Sequence, residues 1–417
     1  MDNPARATIL RGMKIDSDIA IIGGGLNGSA LALALAQQGL SVCVIDALPR
    51  PTRADHDFDG RAYALAMASV RLLRALGVWA GIEDRTQPML EIKVSDGRAG
   101  MGPLMPFSLH FDHAELEEGP MGHMCEDRVL RPALLDAMDA HDGVTTISED
   151  AVTAQEVDGT GATLTLASGR TVRTRLIVGS DGRASGTAQR AGITRTGWGY
   201  GQTALVCAVE HELPHHGIAH QFFMPPGPLA ILPLPGNVSS IVWSEWDATA
   251  ATFAALDDED FLTVLRPRFG DFLGDIRLKG MRYSYPLGLS LAKILIAPRV
   301  ALVGDAAHGM HPIAGQGLNA GLRDIAALAQ VLGEARARGE DIADLGVLER
   351  YQRWRRFDIA ALAAATDLSN RLFSNDNPVL RKLRGIGMGA VQAAAPLRRA
   401  LMREAAGLTG DLPDLMR

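Results

Sequence analysis

Residues 304–321, GDAAHGMHPIAGQGLNAG, combine side chains that could do chemistry with an unusual lack of bulk. His308 and His311 follow Asp305 closely, a pattern that could hold a metal ion or move a proton. No cysteine or glutamate nearby completes a ligand set, and the stretch has no serine or cysteine nucleophile. The five glycines instead favour a backbone that a large cofactor approaches closely. We therefore interpret the two histidines as more typical of structural residues than of a proton relay.

The flanking residues predict the elements that would hold this loop. Arg299–Val303 is typical of a buried strand and leads directly into Asp305, whose carboxylate could accept from a ribose or ribityl hydroxyl. A helix is expected from Gly317, and its free N–H groups would stabilise the negative charge of a reduced flavin by about 0.3–1 kcal/mol. Its apolar stripe would consist of Leu318, Leu322, Ile325, Ala329 and Leu332.

A second glycine-rich turn lies near the start of the chain, between a predicted strand at Asp18–Ile22 and a predicted helix at Leu26–Gln38. Gly23, Gly25 and Gly28 occupy the G-x-G-x-x-G positions of this turn. A second strand, predicted at Ser41–Ile45, ends at Asp46. Such a βαβ unit predicts a dinucleotide site, because the glycines admit a pyrophosphate at the helix N-terminus and the carboxylate can bind a ribose.

The rest of the chain divides into segments with different residue patterns. A buried strand at Thr171–Val178 runs into Asp181, followed by a short helical piece around Ser185–Ala191. Residues 205–243 alternate β-prone runs with proline and glycine, which predicts an antiparallel sheet. After about Gly346 the pattern is helical, with breaks expected near Arg384 and Gly407.

Composition excludes several classes of protein. The 417 residues suffice for two domains, and the net charge of −7 gives no reason to bind nucleic acid. The three cysteines have no metal-ligand spacing and suit a reducing compartment. The residues before Ile19 do not look like a secretory signal. Residues 19–36 lack charge, but their glycines argue against a membrane span.

Three motifs together point to a known family: GGGLNG at 23–28, GSDGRASG at 179–186 and GDAAHGMHPIAGQGLNAGLRD at 304–324. With them the chain resembles the FAD-dependent aromatic hydroxylases of the para-hydroxybenzoate hydroxylase fold. Residues 59–79, 365–387 and 403–413 are similar to the ubiquinone-biosynthesis hydroxylases of that superfamily. The resemblance implies an α/β fold, with a Rossmann-like FAD-binding domain, a mixed or antiparallel β-sheet substrate domain and a C-terminal helical region.

We expect the FAD-binding domain at 15–80, 125–190 and 290–345, the substrate domain at 81–124 and 191–289, and the helical region at 346–417. The resemblance implies that FAD is bound by Gly23, Gly25, Gly28, Asp46, Arg61, Arg128, Asp181, Asp305, Gly317, Leu318 and Asn319. Arg128 could also be a solvated charge at the start of a helix. Pro312 and Gln316 are pocket candidates by position, and Phe223 and Ile231 are candidates on an apolar sheet face above the flavin, where a hydrophobic core is an equally good interpretation. We name no catalytic acid or base and no metal ligand.

The implied reaction is ring hydroxylation of a polyprenylated phenol or quinol intermediate of ubiquinone through a flavin C4a-hydroperoxide, with O₂ and NAD(P)H or another reductant. Alternatives are a monooxygenase of a soluble aromatic substrate and a non-catalytic flavin-binding scaffold. The expected location is cytoplasmic, peripheral on the inner face of the membrane, in contact with other ubiquinone-biosynthesis proteins. Two basic amphipathic segments would attach there, through Arg381, Lys382, Arg384, Arg398, Arg399 and Arg403, unless they are merely solvated helix faces.

Overall fold

The structure is a computed structural model that describes residues 15–54, 57–97, 108–310, 315–374 and 377–417, without the side chains of 378–383. Strands β1 to β19 span Ser17–Ile22, Val42–Ile45, Ala62–Ala66, Gln87–Met89, Glu91–Asp96, Leu109–Asp112, Gly122–Glu126, Val144–Ile147, Val152–Val157, Ala162–Leu166, Thr171–Gly179, Arg195–His211, Ile218–Met224, Gly227–Leu234, Val238–Trp246, Ile276–Ala292, Ile296–Ala297, Val300–Leu302 and His308–Gly309. Helices α1 to α11 span Leu26–Gln37, Arg50–Arg53, Met67–Ala75, Asp127–Asp139, Gly186–Arg190, Asp247–Ala254, Asp258–Phe269, Gln316–Ala337, Leu345–Phe373, Pro378–Ala393 and Ala395–Ala405.

The first sheet has a parallel core in the order β18-β11-β1-β2-β8, extended at the β18 edge by β17. A hairpin of β9 and β10 also pairs with the beginning of β11. Ile22 is in register with Gly179, and Gly179 with Leu302, so β1, β11 and β18 end at the same edge. The three motif loops that follow these strands are therefore neighbours in space, as the carboxyl ends of parallel strands must be.

The second sheet has the order β19-β16-β12-β15-β14-β13-β5-β6, and its two faces have different partners. Side chains alternate between faces along each strand. Phe222 and Ile231 pack against α6 and α7, through a cluster that includes Trp243 and Phe261. Leu232 and Leu234 point the other way, into a smaller cluster with Met89, Met124, Ala62 and Ala64.

The third sheet, β3-β7-β4, supplies residues to that smaller cluster and so lies between the second sheet and the cofactor region. Ala64 of β3 faces the start of α8, where a Cβ on Gly315 would lie 2.9 Å from the Ala64 Cβ. The fold class expected from the sequence is confirmed. The domain boundaries given above stay a prediction.

The C-terminal helices differ from the sequence expectation in one respect. Helix α9 ends at Phe373 and α10 begins at Pro378, so α10 passes through Arg384, where a break was expected. Proline restricts the residue before it and starts a helix readily, which places the break near Pro378. The Arg384 guanidinium is fixed by the Asp96 carboxylate at 2.9 Å, and this packing overrides the low helix propensity of the neighbouring glycines. The second expected break is present, since α11 ends just before Gly407.

The buried His220 predicts a specific loss of stability in acid. His220 is 7% exposed, its Nδ1 has no hydrogen-bond partner among the described residues, and its ring centroid lies 4.5 Å from that of Phe272. Burial, with a smaller effect of Lys93, lowers the pKa of His220 to about 4. Because the unfolded histidine titrates near 6.5, His220 stabilises the fold fully above that pH, and this stabilisation falls as the pH drops toward 4.

We expect His220→Leu to remove on the order of 3 kcal/mol from the difference in unfolding free energy between pH 7.5 and pH 4. Urea unfolding at both pH values, at a fixed FAD concentration, measures the difference. His216→Asn is the matched control, because His216 is exposed and asparagine tolerates its positive φ of 54°. An unchanged pH dependence in His220→Leu would contradict the assignment.

Candidate functional site

The turn between β1 and α1 is closed so tightly that two of its glycines are required by the protein itself. Gly23 has a φ of 99°, and a Cβ there would lie 2.5 Å from the Ser180 carbonyl oxygen. A Cβ on Gly28 would lie 1.8 Å from the Gly23 carbonyl oxygen. No side chain fits at either position, so these glycines allow the first motif to pack against the second.

Gly25, unlike Gly23 and Gly28, is not required by a close contact within the protein. It is the N-cap of α1, whose first turn contains no acidic residue. A Cβ on Gly25 would meet no described atom closer than the Arg131 Nη1, at 4.0 Å. Open space therefore lies in front of a helix N-terminus whose N–H groups have no side-chain cap, and this arrangement suits an anionic group such as a pyrophosphate.

Arg131 is a residue that the sequence analysis missed at this position. Its guanidinium is 20% exposed and donates to the Asp127 carboxylate at 2.6 Å and to the Tyr63 hydroxyl at 3.3 Å. Asp127 and Arg131 are four residues apart on α4, so the spacing predicts their pairing. It does not predict that α4 brings them to Gly25, which depends on tertiary packing.

The predicted arginines Arg61 and Arg128 lie at the edge of the same network. Arg61 Nε donates to Asp59 at 2.5 Å, and its Nη2 is 3.4 Å from Asp127. Arg128 Nε donates to Glu126 at 2.6 Å, and its guanidinium lies 4.9 Å from the Phe58 ring centroid. Both side chains are more than a third exposed, so they remain accessible to a ligand.

Asp46 contacts the glycine turn directly. Its Oδ2 accepts from the Gly24 N–H at 2.6 Å, and its Oδ1 accepts from the Leu48 N–H at 2.8 Å. The buried Arg53 guanidinium lies beside it and donates to the Gly24 carbonyl at 3.2 Å. Asp46 thus fixes the loop, and its role toward a ribose stays a prediction.

Asp181 and Asp305 follow neighbouring strands but are held differently. Asp181 Oδ1 accepts from Ser185 Oγ at 2.5 Å, and Oδ2 accepts from the Thr187 N–H at 2.9 Å, so both oxygens stabilise the start of α5. Asp305 is 43% exposed and meets only the half-exposed Arg183 at 3.3 Å among the described side chains. Of the two carboxylates, Asp305 is the one that remains accessible to a ligand hydroxyl.

The first turn of α8 is also open. Its N-cap, Gly315, has a φ of 64°, and a Cβ on Gly317 would meet no described atom within 4 Å. The Asn319 side chain donates to the Ala64 carbonyl at 2.8 Å and accepts from the Ala66 N–H at 2.9 Å, which ties the helix to β3. The side chain of Asn319 thus ties the helix to the third sheet, whereas the backbone at Gly317 remains open to a ligand.

The other candidate residues of this loop lie in different surroundings. Leu318 is only partly buried and packs against the main core. Gln316 Nε2 lies 3.5 Å from the Ala405 carbonyl oxygen, in the C-terminal segment. His311 and Pro312 lie outside the described residues.

His308 is a structural residue, as the sequence interpretation favoured. It is completely buried, and its Nε2 lies 2.6 Å from the Asp324 Oδ2. Asp324 also accepts from the Gly304 N–H at 3.0 Å and from Arg355 Nε at 2.7 Å. Burial alone would raise the pKa of Asp324, but His308 and Arg355 hold it below its usual value. The network supports the Asp305 loop from behind.

The two sheet candidates lie on opposite faces of the second sheet. Phe223 points away from α7, is 7% exposed and stacks on Phe373 of α9 with ring centroids 4.0 Å apart. Ile231 packs in the cluster under α7, away from Ala64 and the start of α8. The structure thus places Ile231 in a hydrophobic core, the alternative interpretation given above, and a pocket role for Phe223 stays a prediction. An alternating pattern does not show which face of a strand meets a cofactor.

Comparison with known proteins agrees with this geometry. Residues 16–366 match a family model described as FAD binding domain. The chain is 45% identical over 404 residues to the ubiquinone hydroxylase UbiL of Rhodospirillum rubrum, with 96% of this chain and 92% of that protein covered. It is 37% identical to the 3-demethoxyubiquinol 3-hydroxylase of Escherichia coli, with 94% and 99% covered.

Two proteins of lower sequence identity are also similar to this chain. The human mitochondrial ubiquinone biosynthesis monooxygenase COQ6 is 31% identical over 435 residues, with 92% of this chain and 91% of that protein covered. Among solved structures, p-nitrophenol 4-monooxygenase PnpA of Pseudomonas putida superimposes with a TM-score of 0.79 at 20% identity, covering 95% of this chain and 99% of that chain. The latter likeness concerns the fold alone.

Gly25 and Gly28 give a paired test of the cofactor site. We expect Gly25→Ala to fold normally, because its Cβ would meet no described atom closer than 4.0 Å. If the pyrophosphate binds at this helix N-terminus, the same Cβ should weaken FAD binding by at least about tenfold. Gly28→Ala should instead prevent folding, since its Cβ would overlap the Gly23 carbonyl. Circular dichroism of the apoprotein reports folding, and fluorescence titration with FAD reports affinity. A Gly25→Ala variant that binds FAD normally would contradict the pyrophosphate position.

Proposed function

We propose that this protein hydroxylates the aromatic ring of a polyprenylated phenol or quinol intermediate. The chain belongs to the FAD-binding family that includes the ubiquinone-biosynthesis hydroxylases. The chain is an FAD-dependent aromatic monooxygenase, with an aromatic substrate, O₂ and a reduced donor. The meeting of three motif loops at one sheet edge, beside two open helix N-termini, supports the proposal most directly.

Each part of the cofactor would have a matching group in the chain. The N-terminus of α1 and the Arg131 guanidinium would bind the pyrophosphate, and the exposed carboxylate of Asp305 would accept from ribityl hydroxyls. The N–H groups at Gly317 and Leu318 would face the flavin ring, where a helix N-terminus stabilises negative charge. Bound FAD supplies the activation of oxygen, for which protein side chains have no equivalent.

The protein's own contribution would be to bind, orient and exclude water. Leu232 and Leu234 lie on the face of the second sheet that meets the third sheet, and Ala230 lies on the same face. We propose that a ring and its tail would bind beside this apolar face. His308 is held by Asp324 in the core, so we assign it no proton transfer. Among the described residues we identify only one dinucleotide-binding βαβ unit, and we propose that NAD(P)H reaches the flavin without a domain of its own.

The substrate test compares two rings that differ only in their tail. Purified, FAD-loaded protein with NAD(P)H should convert a prenylated quinol to a product heavier by one oxygen, with a KM at least about tenfold below that of the unprenylated ring. Each buried methylene contributes about 0.8 kcal/mol, so even a single prenyl unit suffices for this difference. Equal use of both rings would favour a soluble aromatic substrate. A yellow protein that forms no product from either would favour a scaffold.

Membrane contact is also a proposal, and ion pairs within the chain argue against attachment through the basic side chains alone. Arg384 is buried against Asp96, Arg398 pairs with Glu115 at 2.7 Å, and Arg403 pairs with Glu118. Three of the six expected cations are thus neutralised within the chain. Arg399 is exposed, and the side chains of Arg381 and Lys382 lie outside the described residues.

The exposed apolar side chains of the same helices are the better candidates for membrane contact. Ile386 on α10 is 64% exposed, and Leu397 and Leu401 on α11 are 48% and 42% exposed. Within the described part of the chain, no helix is both long and apolar enough to cross a bilayer. We propose that these side chains insert shallowly into the membrane surface where the prenylated substrate resides.

Vesicle flotation tests this surface. We expect the protein to float with vesicles of phosphatidylcholine and anionic lipid, and to remain bound as salt rises, because apolar insertion is not screened. Replacing Ile386, Leu397 and Leu401 by glutamine should abolish flotation. Leu213→Gln is the matched control, since Leu213 is 47% exposed and lies outside these helices. Flotation that disappears at high salt would restore the electrostatic interpretation.

A further inference from the structure

Helix α9 exposes a row of apolar side chains on the side that faces away from the core. Its inner side carries the buried Tyr351, Arg355 and Ile359. On its outer side, Phe357 is 78% exposed and Leu368 is 66% exposed, the two largest values for a bulky apolar side chain in the described part of the chain. Scattered exposed apolar residues are normal, but a contiguous apolar surface usually marks an interaction site.

The spacing of these residues makes the row symmetric about its centre. Phe357 and Leu368 are eleven residues apart, or three helical turns, so they lie on one face about 16 Å apart along the helix axis. The exposed positions between them on this face are all alanine, at three and four residues from either end. We call this row the α9 stripe, and it consists of Phe357, Ala360, Ala361, Ala364, Ala365 and Leu368.

The α9 stripe therefore has the same order of large and small side chains in both directions. A two-fold symmetric interface requires a surface that is complementary to itself, so that residue i contacts residue j and residue j contacts residue i. If a second copy of α9 runs antiparallel, with the symmetry axis between Ala361 and Ala364, Phe357 lies beside Leu368 of the second copy. The alanines then face alanines, which allows the helix axes to approach to about 8 Å.

The charges beside the stripe suit the same arrangement. Arg353 is exposed and has no ion-pair partner among the described residues. In this register it lies opposite residue 372 of the second copy, in the last turn of α9, where the helix dipole attracts a cation. The cation already present in that turn, Arg371, pairs with Asp367 at 2.9 Å and lies 5.4 Å from the Trp198 ring centroid. Arg353 therefore meets the negative end of a helix whose own arginine is already neutralised.

We propose that the α9 stripe is an interface between two copies of this chain, which pair antiparallel with Phe357 against Leu368. A membrane surface is a poorer partner, because four alanines contribute little apolar area to insertion. One helix face is smaller than the roughly 800 Å² per partner of a standard interface, so the dimer forms reversibly. The inference does not depend on the proposed function, since it uses no residue of the cofactor site.

Sedimentation of the FAD-loaded protein over two orders of magnitude in concentration tests the association. The mass should rise from that of the monomer to that of the dimer, as expected for a weak interface. Ala361→Gln keeps a good helix former but blocks the close approach, and should raise the dissociation constant at least about tenfold. Leu345→Gln is the matched control, because Leu345 is 46% exposed on the same helix but lies outside the stripe.

Oxidative cross-linking tests the register. The three native cysteines are buried, so cysteines introduced on the stripe report on this surface alone. A mixture of Phe357→Cys protein and Leu368→Cys protein should form a disulfide-linked dimer. Neither variant should do so by itself, because in the antiparallel pair the two copies of one position are about 16 Å apart along the axis and a disulfide spans less than about 7 Å between Cα atoms.

Three results would overturn the inference. The first is a protein that stays monomeric over the whole concentration range. The second is cross-linking of Phe357→Cys protein with itself, which excludes the antiparallel register. The third is an Ala361→Gln variant that associates as the wild type does. A monomer whose flotation with vesicles is lost in Phe357→Gln would assign the stripe to the membrane instead, and none of these results bears on the hydroxylation assay.

Discussion

The approach of Gly28 to the carbonyl oxygen of Gly23 is the constraint from which the cofactor site follows. A Cβ at 1.8 Å would push α1 away from β1, and the same turn must also pack against Ser180 of the second motif. Since β1, β11 and β18 end in register, this tight turn sets where all three motif loops lie. The N-termini of α1 and α8 follow two of these loops, and neither has a side-chain cap. The close packing at Gly23 and Gly28 therefore leaves the N–H groups beside Gly25 free for the anionic group that we propose.

A buried network of charged side chains stabilises the third motif loop at this edge of the first sheet. Asp324 joins His308, the Gly304 N–H and Arg355, and so connects the third motif loop to α8 and α9. Removing one partner from such a network leaves a buried charge without compensation and costs about 3–5 kcal/mol. The network therefore holds both ends of the segment that contains Asp305, at Gly304 and at His308. The polar side chains of this network stabilise the fold, whereas the backbone N–H groups at the helix N-termini have no side-chain partner and would be free to bind a ligand.

Local pattern accounts for what the sequence predicted well. The first βαβ unit, the strand before Asp305 and the helix after Gly315 each depend on residues close together in the chain, and all are present with bounds shifted by a residue or two. The family and the use of FAD, inferred from three motifs, are confirmed. The features that the sequence did not predict depend on tertiary packing. The proximity of Arg131 to Gly25, the face of Ile231 and the pairing of Arg384 with Asp96 join distant segments, and periodicity carries no information on which segments meet.

Residues 406–416 pack against the helices that flank the motif loops, and this couples the stability of the two regions. The Ala406 carbonyl accepts from the Ala68 N–H at 3.1 Å, the Thr409 carbonyl accepts from Arg323 at 2.9 Å, and Met416 is buried in the same core. These contacts join residues 406–416 to α3 and α8, which are far from them in sequence. Segments that share a buried core tend to open together, so this segment and the helices beside the motif loops are expected to unfold as one cooperative unit. Binding of FAD is therefore expected to protect residues 406–416 from amide hydrogen exchange as well.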